Sequence, residues 1–204
     1  MLDKPRVLVI QCYTESIKEY AMESFSHNVK YFVNKGYDTL LYTDKIKYHP
    51  TWLKIDCLTK INYNKYDYVW VLDADCLINN ISKSIEELIG QHPTKILCSK
   101  NGLNGGSLLN SGSIIYPKES IEIILSHYAK YKDQDNKFLY EHWHEQTMLN
   151  EIVEKYPTIF ETLDMDVLNS WWLVDIYSNE NFIHHYMGIT KDEKLNKIKQ
   201  HVRK

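Results

Sequence analysis

Glycine is scarce: seven in 204 residues, four of them crowded between positions 101 and 112. With sixteen tyrosines alongside, that composition excludes a disordered or low-complexity chain. The four cysteines, Cys12, Cys57, Cys76 and Cys98, lie far apart and form no C-x-x-C pair. This argues against a zinc site or a disulfide framework and makes a reducing compartment the default. Basic residues are not in excess, and the net charge of −3 argues against general affinity for nucleic acid. Long apolar runs are missing too. The first, Val7 to Ile10, is too short for a signal peptide, and none approaches a membrane span. A soluble, cytoplasmic protein without a transmembrane segment is expected. No repeat or linker divides the sequence, so residues 1–204 read as one domain with a substantial core.

What is present is a run of strand and helix signals. Residues 6–13 (RVLVIQCY) read as a buried strand. A helix capped by Thr14 or Ser16 follows and stops at Gly36, with Ile17, Ala21, Phe25, Val29 and Phe32 as its core face. Residues 37–43 give a second strand, and a strand–helix–strand unit of this length implies a parallel pair with a right-handed crossover. Pro50 opens another helix. Later helices are expected over 85–89, 117–131 and 140–155, and strands over 95–98, 113–116, 158–163, 166–168 and 182–185. Gly188 then marks a turn before a basic terminal helix. The clustered glycines of 101–112 suit either a hairpin or close approach to a ligand.

The most informative stretch is VWVLDADCLINN, residues 69–80. A continuous apolar run reads as a strand buried on both faces. It delivers Asp73 and Asp75 to the sheet edge where open α/β folds bind ligands. Buried acids need a cation partner, and carboxylate oxygens suit Mg²⁺ or Mn²⁺. The loop from Gln11 to Thr14 and Asp44 open on the same edge. Near the C-terminus, HHYMGITK brings histidine, glycine and lysine into one loop. An imidazole beside two carboxylates favours Mn²⁺ over Mg²⁺, and lysine is a common partner for phosphate.

These motifs resemble those of the metal-dependent nucleotide-sugar glycosyltransferases of the GT-A fold, most of all glycosyltransferase families 8 and 34. D-x-D stands at Asp73 and Asp75, and asparagine–small–glycine at Asn110, Ser111 and Gly112. An acidic–glutamine pair follows at Glu145 and Gln146, then H-x-x-G-x-x-K at His185, Gly188 and Lys191. NVKYFVNKGYD and TWLKIDCLTK echo family 34. Two features depart from family 8: Asp192-Glu193 stands where it has proline–tryptophan, and the acid before Gln146 is glutamate, as in family 34.

The resemblance implies an α/β fold of Rossmann-like type, with a mixed, mostly parallel sheet flanked by helices. It implies Mn²⁺ (or Mg²⁺) held by Asp73, Asp75 and His185, and a UDP-sugar donor. Gln11, Tyr13 and Thr14 would hold uracil and ribose. Lys54 and Lys191 would contact the diphosphate, with Asp73 and Gly188 beside it. Asn110, Ser111, Gly112 and Glu145 would line the sugar, and Gln146 would lie beneath the anomeric carbon. A glycan or other hydroxyl compound would be the acceptor, and a further domain or protein would be a source of its surface. A glutamine is a poor nucleophile but an adequate dipole, so retention by front-face transfer is the expected course. Trp171-Trp172, His142 and His144 are candidates for acceptor contact or plain packing. The alternatives are a non-catalytic nucleotide-sugar or glycan-binding protein and a haloacid-dehalogenase-type phosphatase. The phosphatase would carry its D-x-D on the first strand of its core.

Overall fold

The computed structural model describes residues 4–101, 108–133, 139–140, 143–171 and 178–203. Strand β1 (Val7–Cys12) is buried along its length. After a short 3-10 turn it leads to helix α1 (Lys18–Asn34) and strand β2 (Asp38–Tyr42). Gly36, at φ 69°, ends the helix, as only glycine does without strain. A 3-10 turn from His49 leads into helix α2 (Leu53–Asp56). Strand β3 (Tyr68–Asp73) and strand β4 (Cys76–Ile78) bracket Ala74 and Asp75. Then come helix α3 (Ile85–Gln91), strand β5 (Ile96–Lys100), strand β6 (Leu109–Pro117) and helix α4 (Lys118–Asp133). Helix α5 (His144–Lys155), strand β7 (Phe160–Leu163), helix α6 (Met165–Leu168) and strand β8 (Ser170–Trp171) follow. Strand β9 (Ile183–His185) and helix α7 (Lys191–Val202) complete the order.

The main sheet runs β2-β1-β3-β6-β5-β7. Five strands share one direction and β6 alone is reversed. Alternate residues of β1 and β3 feed two cores. Leu8, Ile10, Val69 and Val71 pack with α2, α4 and α5, and Val7, Val9, Trp70 and Leu72 pack with α1 and α3. Both faces are covered, which is why these strands read as unbroken apolar runs. The fold is α/β with a mostly parallel sheet flanked by helices, as expected.

Register positions the candidate site. Cys12 lies opposite both Tyr42 and Asp73, so the loop after β1 and the D-x-D turn leave the sheet side by side. Because β6 runs antiparallel to β3, with Leu72 opposite Ser113, it is the start of β6 that reaches this edge. There the pairing with β5 skips from Cys98–Ile114 to Ser99–Asn110. Ser111, Gly112 and Ser113 bulge off that ladder, the device by which sheets re-aim residues beside active sites. A second sheet, β4-β9-β8, sets His185 opposite Cys76 and Trp171 opposite His185.

Three expectations change. Residues 166–168 belong to α6, a four-residue turn too short for periodicity to separate from a strand. The inward face of α1 is Tyr20, Ala21, Ser24, Asn28, Tyr31 and Phe32. Ile17, Phe25 and Val29 are only half-buried, because Ser24 and Asn28 turn inward to hydrogen-bond. Asn110, Ser111 and Gly112 lie within β6, not in a loop before it. Residues 102–107, His142 and Trp172 lie outside the described residues.

Candidate functional site

A cleft of about 410 Å³ opens at the sheet edge where β1, β3 and β6 converge. Asp73 ends β3 and Asp75 precedes β4, while the β4–β9 pairing carries His185 to them. His185 Nε2 lies 3.2 Å from Asp75 Oδ1 and 3.6 Å from Asp73 Oδ2. The other oxygen of each aspartate meets a lysine: Lys54 Nζ is 2.8 Å from Asp73 Oδ1, and Lys194 Nζ is 2.5 Å from Asp75 Oδ2.

Lys54 is buried and also reaches Glu145 Oε1 at 2.8 Å. It donates to the Ser111 carbonyl and hydroxyl, both at 3.0 Å. Burial opposes its charge, but Asp73 and then Glu145 outweigh that and raise its pKa. Burial likewise pushes Glu145 up, yet the Lys54 charge, with hydrogen bonds from Lys54, Thr51 and Ser111, holds it below the ordinary glutamate value. Asp75 follows the same logic: burial raises it, and His185 and Lys194 bring it well below the carboxylate range. Three carboxylates against two ammonium groups leave one net negative charge beside the His185 ring.

These groups suit a hard divalent ion. Adjacent ligand atoms around an octahedral ion bound at about 2.1 Å stand about 3 Å apart, close to the two separations His185 makes with the aspartates. His185 Nδ1 is buried against Gly112 and has no hydrogen-bond partner among the described residues. Nε2, the ring nitrogen that faces both carboxylates, is the one placed to meet an ion. A Cβ on Gly112 would lie 2.4 Å from His185 Cε1 and 2.6 Å from Nδ1, so the imidazole occupies the space that glycine vacates. Cys76 Sγ also lies near Asp75 and His185. Burial, then Asp73 and Asp75, push its thiol well up, and it donates to the Gly112 carbonyl at 3.3 Å. It is a poor ligand for a hard ion.

The remaining sequence candidates divide. Tyr13, Thr14, Lys54, Asn110, Ser111, Glu145 and Gln146 all line the cleft. Asn110 Oδ1 accepts from Gly112 N at 2.8 Å and from Asn169 Nδ2 at 2.5 Å. Gln146 Oε1 accepts from Ser111 N at 3.0 Å, which orients its amide. Gln11 does not line the cleft. It is fully buried behind the wall, where its Nε2 donates to Ser24 Oγ at 2.8 Å and to the Asp73 and Cys76 carbonyls at 3.0 and 3.3 Å. It braces the D-x-D turn from below. Gly188, at φ 78°, shapes the turn before α7, and Lys191 is exposed on the first helical turn, outside the cleft lining.

Several lining residues carried no sequence motif. Lys194 enters one turn after Lys191, with its ammonium 5.6 Å from the Tyr20 ring centroid. At the start of α5, Trp143 (φ 75°) and His144 (φ 42°) are left-handed, and such strain in non-glycine residues gathers at functional sites. The His144 ring stacks on His49 at 3.7 Å and 10°. Trp171 is buried and donates to the Met187 carbonyl at 3.0 Å, so it packs under the cleft.

Comparison with known proteins agrees with this fold. Residues 4–95 match the model of the galactosyl transferase GMA12/MNN10 family. A glycosyltransferase involved in glycosylation of the major capsid of PBCV-1 superposes with TM-score 0.78 at 14% identity, over 96% of this chain and 100% of that one. The galactosyltransferase LgtC, solved with donor and acceptor sugar analogs, gives 0.62 at 10% identity over 96% and 95%. Mouse xyloside xylosyltransferase 1 gives 0.58 at 14% over 91% and 100%. No curated protein matches the sequence. Fold and partial family match together support a role in glycosyl transfer. The chain thus has the GT-A glycosyltransferase fold and, over residues 4–95, the sequence pattern of the GMA12/MNN10 galactosyl transferases.

Proposed function

We infer that residues 1–204 form one domain, a divalent-metal-dependent glycosyltransferase that moves a sugar from a UDP-sugar to a carbohydrate hydroxyl with retention. The carrying observation is the convergence of Asp73, Asp75 and His185 in a cleft that also holds Lys54, Glu145 and Gln146. Asp73, Asp75 and His185 would hold Mn²⁺, or Mg²⁺ as the second choice. An ion held there would supply positive charge against the negative charge that develops on the departing nucleotide diphosphate. Tyr13 and Thr14 form the wall next to Asp73 and are the groups for base and ribose. Asn110 and Ser111, re-aimed by the β6 bulge, face the sugar.

The chemistry of α5 favours retention by front-face attack. Glu145 Oε1 is held by Lys54 at 2.8 Å and by Ser111 Oγ at 2.9 Å, which removes it as a free nucleophile. Gln146 offers a fixed carbonyl dipole to an oxocarbenium-like centre. The acceptor would enter past Trp143, His49 and His144. Among the described residues no helix is long and apolar enough to cross a membrane.

Calorimetric titration of UDP with Mn²⁺, Mg²⁺ or EDTA, on wild type and Asp75→Ala, tests the donor site. Metal-dependent binding lost in the variant is expected, and metal-independent binding would overturn the reading. NMR of the product anomer tests the stereochemistry, where inversion would refute the front-face course. Tight Mn²⁺–UDP binding without transfer or donor hydrolysis would favour a binding protein instead.

A further inference from the structure

The lysine that the resemblance assigns to the diphosphate, Lys191, stands outside the cleft, while Lys194 enters it. We propose that Lys194 is an exchangeable counter-cation of the acidic centre: it holds Asp75 before a divalent ion arrives and transfers to the donor diphosphate afterwards. Metal and nucleotide would then bind as a coupled pair. This inference rests on the donor-site reading above and assigns a role to a residue that reading does not use.

The two lysines at the centre are held differently. Lys54 is fixed by Asp73, Glu145 and Ser111 at once, so it has no freedom to follow a ligand. Lys194 pairs, among the described residues, with the single carboxylate of Asp75, and its ammonium stands 5.6 Å from the Tyr20 ring centroid. Its backbone is anchored elsewhere. Thr190 and Glu193 form a capping box at the start of α7. Ile198 is fully buried against α1 and Tyr186, and Lys199 pairs with Glu19 at 3.0 Å. Only the four-carbon stem has to swing, and an ammonium on such a stem is a mobile point charge.

Asp75 is buried and would be costly to leave without a cation. Lys194 meets that need on Oδ2, while Oδ1 faces His185. An ammonium on one oxygen repels a divalent ion on the other, so arrival of the ion favours release of Lys194 into the cleft. A diphosphate bound to that ion is the strongest new acceptor within it. By linkage, each ligand then strengthens the other by the same factor.

Calorimetry provides the test, with Mn²⁺ alone and then UDP at saturating Mn²⁺. The proteins are wild type, Lys194→Met, Lys194→Gln, Lys194→Arg and Lys191→Met, each confirmed folded by thermal unfolding. Lys194→Met and Lys194→Gln should bind Mn²⁺ alone about tenfold more tightly and UDP about tenfold more weakly, the size of one lost charge-assisted hydrogen bond. Lys194→Arg should restore most of the UDP affinity. Lys191→Met should change either constant by less than about twofold, as suits an exposed charge. Opposite signs for metal and nucleotide are the signature, because loss of packing alone would weaken both. Parallel changes, no change, or the same pattern in Lys191→Met would overturn the proposal while leaving metal-dependent UDP binding by the wild type intact. Absence of that wild-type binding would remove the donor-site reading and this inference with it.

Discussion

Replacing Gly112 by alanine should damage the candidate metal centre without adding or removing a charge. The new Cβ would stand 2.4 Å from His185 Cε1, 2.6 Å from Nδ1 and 3.0 Å from Asn169 Oδ1. Non-bonded carbons rest about 3.5–4 Å apart, so the ring has to move by about 1 Å. It has little room to do so: His185 is buried in the middle strand of the small sheet, between β4 and β8. Overpacking of this kind costs about 1–3 kcal/mol, which for a chain of this length lowers the Tm by about 2–12 °C. The larger effect falls on metal. Ligand atoms must hold position to about 0.2 Å, and disturbing a ligand's support costs about 10–100-fold in affinity. Mn²⁺ titration and thermal unfolding of Gly112→Ala measure both. Gly90→Ala is the control, since a Cβ there meets nothing within 4 Å and alanine in helix α3 should stabilise by about 0.5–1 kcal/mol. Wild-type Mn²⁺ affinity in Gly112→Ala would refute the claim that His185 is a ligand held by this contact.

Lys54→Met leaves Glu145 buried without its cation and should cost about 3–5 kcal/mol in urea unfolding. Combining it with Glu145→Gln should recover part of that loss, and strict additivity would refute the pairing. The depressed pKa of Glu145 also has a sign in pH. Its native state binds fewer protons than the unfolded chain, so its contribution is present above the ordinary glutamate value of 4.5 and is lost as pH falls below it. Stability measured from pH 6 to pH 3, about the range over which a glutamate titrates, should therefore decline more steeply in wild type than in Glu145→Gln. Equal slopes would contradict the assignment. Gln11→Leu strips the donor from the Asp73 and Cys76 carbonyls and should cost about 1–3 kcal/mol. It should also weaken Mn²⁺ binding although Gln11 lies outside the cleft, and unchanged metal affinity would show that the turn needs no brace.

The elements with strong local signals were legible before the structure. The apolar runs of β1 and β3, the glycine stop at Gly36 and the long helices all appear where periodicity and punctuation put them. So do Asp73 and Asp75 at a strand end. What escaped detection depends on partners distant in sequence. Strand β9 was expected, but its neighbours β4 and β8 are only three and two residues long, and it is the mutual pairing of the three that brings His185 to the aspartates. The inward face of α1 includes Ser24 and Asn28, which hydrophobic periodicity excludes and which their bonds to Cys76 and Gln11 select. Motif spacing drew attention to Lys191, but the phase of α7 is set by its capping box and by Ile198, and that phase delivers Lys194. Gln11 sits on a strand end that opens toward the cleft, yet its side chain points the other way.

The chain distance between Asp75 and Lys194 also bears on how the molecule assembles. Their contact spans 119 residues, and His185 joins only through a strand near the end of the sequence. Contacts of such separation close late, after the local strand–helix–strand units have formed. An N-terminal unit synthesised first therefore carries Asp73, with Lys54 already in the same unit, and Asp75 to a sheet edge well before His185 and Lys194 arrive. Those acids keep the edge hydrated and discourage premature docking until the last helix folds over. In refolding, Mn²⁺ affinity should accordingly appear after the far-ultraviolet dichroism of the helices has recovered, and simultaneous recovery would show the two ends closing together.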